Sequence, residues 1–113
     1  MSAFEVACWE YEINKQNGKF GIEIFGGIDK DPAQNPYSKN GDKGVYIIKI
    51  EPGSAAEIGG LKVGDQIYEA NGFDYTMVTF AQAVRRIQRK DTLRLKIGRA
   101  DTSPGSTTTS GLL

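Results

Sequence analysis

The run Gly18-Lys19-Phe20-Gly21-Ile22-Glu23-Ile24 constrains this chain more than any other: a glycine-pinched loop leads straight into an apolar–polar alternation. Phe20, Ile22 and Ile24 alternate with Gly21 and Glu23, which predicts a strand from Phe20 to about Phe25 with three apolar side chains on one face. Gly21 lets the backbone turn its amides in a direction that a Cβ obstructs. Consecutive amides aimed one way form an anion nest, and a sheet edge beside it is a template for an added strand. Apolar face, nest and edge together suit the free C-terminus of another polypeptide. Alone, such a triplet is more often an ordinary strand start packed into a core. The rest of the chain decides.

Phe4, Val6 and Cys8 alternate, then Trp9, Tyr11 and Ile13 follow in shifted phase, so a strand is expected over 4–13 with a bulge near Cys8–Trp9. Residues 14–18 are a polar turn. Gly26-Gly27 end the second strand, and a long polar loop with Pro32 and Pro36 runs to Lys43. Residues 45–50 are a β-branched strand stopped by Pro52-Gly53. Ser54 caps a short helix over 55–58, which Gly59-Gly60 terminate. Leu61, Val63 and Ile67 lead through Gly64-Asp65 into another strand, and Asn71-Gly72 signals a two-residue hairpin. Thr79 and Gln82 form a capping box, after which Phe80, Ala83, Val84 and Ile87 recur at helical spacing. Leu93, Leu95 and Ile97 make a last strand.

With 113 residues the chain is expected to be one domain with a modest core. Lys+Arg and Asp+Glu are both 14, so no overall field draws it to nucleic acid. The single Cys8 forms no internal disulfide and fits a reducing compartment. No segment approaches the ~18 apolar residues of a membrane span, and the acidic, unpatterned start does not read as a secretion signal. The expectation is a cytoplasmic domain. Histidine is absent, which removes Ser-His-Asp and Cys-His catalysis and most catalytic zinc sites. With no activated Cys and no phosphate loop either, an enzyme is disfavoured and no cofactor is expected.

The pinched loop, the Glu51-Pro52-Gly53-Ser54-Ala55-Ala56 step, the turn from Leu61 to Ile67, Asn71-Gly72 and the Thr79 helix together resemble a PDZ domain over about residues 4–99. The loop from Gly26 to Ser38, with residues 42–46 and 76–79, is similar to small single-PDZ members of that family. The resemblance implies a mainly β fold with two helices: five to six strands as a partly open barrel or sandwich, capped by one short and one long helix. It implies a single domain over 1–99 and a flexible Ser/Thr/Gly tail over 100–113. The implied role is binding the C-terminal tails of membrane or signalling proteins, as a scaffold or a scaffold antagonist, with recruitment to the membrane by those partners.

For the site, the resemblance implies that the amides of Phe20, Gly21 and Ile22 take the ligand carboxylate. Lys15 either adds charge through a water or is a solvated loop cation. The last ligand side chain would enter a pocket of Phe20, Ile22, Ile24, Val84 and Ile87, while the ligand backbone pairs along Ile22 to Phe25. Many PDZ domains place a histidine first in the long helix to bind a ligand hydroxyl; here that position is Phe80. A hydroxyl desolvated against Phe80 without a partner costs roughly 1–3 kcal/mol, whereas an apolar side chain against Phe80 and Val84 gains about 1–2 kcal/mol. The expected ligand is therefore apolar-x-apolar-COOH. Glu23 faces the penultimate and fourth-from-last ligand residues, modestly favouring Lys or Arg there.

Other features have plainer readings. Asp29, Asp31 and Asn35 lack the glycine and terminal Glu of a calcium loop. Arg85, Arg86, Arg89 and Lys90 are either a solvated helix face or, as the alternative function, an anionic-lipid contact for a peripheral membrane adaptor. Leu112 and Leu113 end the sequence as a candidate ligand in themselves, giving self-association.

Overall fold

The computed structural model describes residues 6–38 and 41–100. Eight elements follow in order: β1 (Val6–Asn14), β2 (Ile22–Phe25), β3 (Val45–Ile50), α1 (Ala55–Ile58), β4 (Gln66–Ala70), β5 (Phe73–Asp74), α2 (Phe80–Gln88) and β6 (Thr92–Ala100), with a 3-10 turn at Pro32–Gln34. They build one open antiparallel sheet in the order β1-β6-β4-β3-β2, with β5 paired to β4. Both β1 and β2 therefore lie at sheet edges. The expected six strands and two helices are present. The tail with Leu112 and Leu113, and Phe4 of the expected first strand, lie outside the described residues.

Two strand expectations need correction. β1 pairs with β6 in unbroken register from Val6↔Ala100 to Asn14↔Thr92, so Cys8–Trp9 holds no bulge. The apolar phase shift has another cause: Cys8 and Trp9 both lie exposed, while Tyr11 and Ile13 reach the core. The second strand begins at Ile22 rather than Phe20, because Gly21 sits at φ +88, outside the range of a strand. The bulge occurs elsewhere. Glu23 pairs with Lys49 and Ile24 with Ile47, so Ile48 is the extra residue on β3.

The core lies between the sheet and the helices. Ile13, Val45, Ile47, Ile67, Leu93, Leu95 and Ile97 come from the strands, Ala55 and Ala56 from α1, and Ala83 and Ile87 from α2. Caps set the helix starts. Ser54 accepts from Glu57 N at 3.2 Å, and Thr79 and Gln82 exchange the two bonds of a capping box. Asn71 and Gly72 both take positive φ in the β4–β5 hairpin, as its two-residue turn requires. Tyr75 is fully buried, and its hydroxyl donates to the Ala83 carbonyl at 2.8 Å, fixing the β5–α2 segment against the helix. Burial pushes that phenol up to about 12.

A charge pair closes the far side. Arg99 on β6 grips Asp65 with Nε and Nη2 at 2.7 and 2.8 Å, and Asp65 is 1% exposed. The same guanidinium donates to Gly60 O at 3.3 Å and lies 5.5–5.6 Å from the Trp9 and Tyr11 ring centres. The Asp65 carboxylate holds the guanidinium above its ordinary pKa. Asp65 also accepts from Lys62 N at 2.8 Å, tying the turn before β4 to β6. Arg99→Ala strands a buried carboxylate, and denaturant unfolding should show a loss of about 3 kcal/mol, the low end for a buried pair because Arg99 keeps 22% exposure.

Candidate functional site

The site starts at a turn. Gln16 and Lys19 exchange backbone bonds of 2.9 and 3.2 Å around Asn17 and Gly18, both at positive φ. The chain then enters Phe20 and Gly21, whose carbonyls turn inward: Ala56 N donates to Phe20 O at 3.1 Å and Glu51 N to Gly21 O at 2.8 Å. A Cβ on Gly21 would run into the side chain of Ser54, the α1 cap. Among the described residues the N–H groups of Phe20 and Gly21 donate to no protein acceptor. Both residues line a cavity of about 350 Å³ with Lys15, Lys19, Ile22, Ile87 and Gln88 among its walls.

That cavity continues into a second lobe of about 290 Å³ between β2 and α2, lined by Ile22, Glu23, Ile24, Phe80, Val84, Ile87 and Gln88. The expected pocket residues Phe20, Ile22, Ile24, Val84 and Ile87 thus come together in one cleft, and Phe80 lines its upper part. Phe25 does not line it. Its ring packs on Phe80 at 5.6 Å between centres, tilted by 48°. Lys15 is engaged already, donating to Gln88 O at 2.7 Å with its ammonium 5.6 Å from the Phe20 ring centre. Glu23 stands exposed on the rim but shares its charge with Lys49 at 3.7 Å, and Glu51 pairs with Lys19 at 3.2 Å.

Several contributors were missed by sequence reasoning. Asp29, in the loop after β2, accepts from Phe80 N at 2.9 Å, across 51 residues of chain. Ile28 N donates to Val78 O at 2.8 Å, and a Cβ on Gly27 would lie 2.7 Å from Phe80 N. Lys30 places its ammonium 5.1 Å from the Phe80 ring centre. No local pattern announces such long-range contacts. Gln88 could have been found as the residue four beyond Val84 on the same helix edge. Asp31 accepts from Ala33 N and Asn35 from Tyr37 N within their own loop, and the Asn35 side-chain amide also donates to Phe25 O at 3.3 Å, tying the loop to β2. A cavity of similar size over β1, β6 and β4 is walled by Glu10, Glu12, Glu69, Arg94 and Lys96, with ion pairs Arg94–Glu12 and Lys96–Glu69, and reads as a solvated charge ladder.

An edge strand, a helix running antiparallel beside it and a glycine-turned loop at the closed end of the cleft match one family. A PDZ-domain profile covers residues 10–98. The chain belongs to the PDZ-domain family. Human Tax1-binding protein 3 is 45% identical over 95 residues, covering 78% of this chain and 77% of that protein. The crystal structure of wild-type TIP-1 superimposes with a TM-score of 0.75 at 42% identity, covering 84% of this chain and 89% of that one. A choanoflagellate SHANK1 PDZ domain bound to GIRK3 peptide gives a TM-score of 0.68 at 22% identity, a likeness of fold. As a PDZ domain the protein is a protein-interaction module.

The Phe80 N–H holds the Asp29 carboxyl below its ordinary value of 3.8. A carboxyl made more acidic by folding contributes stability above its unfolded pKa and loses it as pH falls through the folded value. Asp29→Ala should lower the melting temperature at neutral pH, Asp29→Asn less because the amide oxygen still accepts, and both differences should shrink in strong acid. Thermal melts across that range check the sign.

Proposed function

We propose that this PDZ domain binds the free C-terminal tails of partner proteins by adding the ligand as a strand to β2. The observation that carries the reading is the pair of N–H groups at Phe20 and Gly21, without protein acceptors among the described residues, at the closed end of a cleft beside an edge strand. A carboxylate there accepts from Phe20, Gly21 and Ile22, each charge-assisted bond worth about 1.5–3 kcal/mol. Lys15, fixed on Gln88 at the same end, adds positive potential. The terminal side chain fills the lobe between Ile22, Ile24, Val84 and Ile87. Two residues earlier, the ligand meets Phe80.

Specificity follows from Phe80. Its ring faces the cleft between Phe25 and the Lys30 ammonium, and it brings no hydrogen-bonding atom. We infer apolar-x-apolar-COOH ligands. Glu23 favours a ligand cation only weakly, because Lys49 already neutralises it. A single domain that occupies a tail works as a scaffold antagonist or as one element of a scaffold, in the cytoplasm, on tails of membrane or signalling proteins.

Fluorescence anisotropy with three labelled peptides tests this: Val two before a terminal Val, Thr in that place, and the Val peptide amidated. The first should bind in the micromolar range, about −7 to −9 kcal/mol, and the other two at least tenfold more weakly. Preference for Thr overturns the role of Phe80; equal binding of the amide overturns the carboxylate mechanism. Phe80→His should move the preference towards Thr by about tenfold, the worth of one ligand hydrogen bond.

A further inference from the structure

The outward side of α2 takes no part in the cleft. Phe80, Val84 and Ile87 face the ligand, whereas Arg85 and the capping Arg89 lie about 100–140° further round the helix from Val84. None of Arg85, Arg86, Arg89 and Lys90 has an ion-pair partner among the described residues. Arg86 lays its guanidinium 4.3 Å from the ring centre of Phe73, and that ring remains 44% exposed on β5. Past the helix end, Lys90 and Arg94 line a shallow hollow of about 510 Å³ with Glu12, Asn71, Gly72 and Thr92. The carboxylates nearby are Glu12, bound to Arg94; Asp74, held by Thr76; and the exposed Asp91. Cations outnumber them on a chain whose formal net charge is zero, so the positive potential is local to this face.

We propose that this face, with Phe73 at its margin, seats the domain on an anionic bilayer surface while the peptide cleft stays open. Clustered cations gain roughly fivefold each in partitioning near an anionic leaflet, and an exposed aromatic ring beside them enters the headgroup boundary. An acidic peptide would use the charges and leave Phe73 idle. That distinction separates the occupants. The proposal is independent of the peptide reading, since the cleft and the cationic face lie on different sides of α2.

The test is co-sedimentation with phosphatidylcholine vesicles, with and without phosphatidylserine, alongside the anisotropy assay on the same variants. Wild type should bind the anionic vesicles and release in high salt. Arg85→Glu with Arg89→Glu should cut partitioning at least tenfold, and Phe73→Ser severalfold, with peptide affinity within twofold of wild type. Lys62→Glu, an exposed cation outside the face, should change little. Equal sedimentation with neutral vesicles, or equal loss with Lys62→Glu, overturns the proposal. Loss on charge reversal with none for Phe73→Ser overturns the bilayer and assigns the face to an acidic polymer. An unchanged peptide affinity excludes misfolding as the cause in every arm.

Discussion

The structure depends on a single residue held in the left-handed region. Gly21 at φ +88 packs against the Ser54 side chain, too close for any Cβ, and this contact reverses the direction of its peptide groups. The Phe20 and Gly21 carbonyls then point inward, to Ala56 N and Glu51 N, while their N–H groups have no acceptor among the described residues. The polarity of the cleft is therefore a backbone property. Ser54 serves twice, capping α1 and walling the loop, so the short helix and the closed end of the cleft form together.

The opposite wall is fixed at both ends. Lys15 holds the last carbonyl region of α2 through Gln88, where a cation also opposes the helix dipole, and Asp29 meets the first N–H, where an anion does the same. Between them the Tyr75 hydroxyl pins Ala83. A helix of nine residues held in three places has little freedom to slide, so the cleft is largely shaped before a ligand arrives, and less ordering has to accompany binding.

Much of this was legible because the decisive signals are local. The capping box at Thr79, the Asn71-Gly72 turn, the Pro52-Gly53 stop and the helical spacing of Phe80, Val84 and Ile87 each need only a few neighbouring residues. What escaped is long-range or depends on burial. The start of β2 was placed two residues early because alternation cannot register the φ of Gly21. The Cys8–Trp9 phase shift points to a bulge, whereas both side chains simply lie exposed; the bulge at Ile48 sits inside a run rich in β-branched residues that hides it. Phe25 is expected at the groove for its backbone pairing, and its ring supports Phe80 from the side. The Asp29–Phe80 and Asp65–Arg99 contacts join segments far apart in sequence, and no spacing rule reaches them.

The pairing of β1 with β6 has a bearing on how the molecule assembles. Nine consecutive residue pairs join the first described strand to the last, from Val6↔Ala100 inward. This ladder cannot form on a nascent chain until β6 has emerged, so β1 waits through most of synthesis. Non-local closure of this kind puts folding among the slower topologies, in milliseconds to seconds. It also brings the two ends of the domain side by side on the edge remote from β2. The domain can accordingly be spliced into a host polypeptide through those adjacent ends without obstructing its cleft.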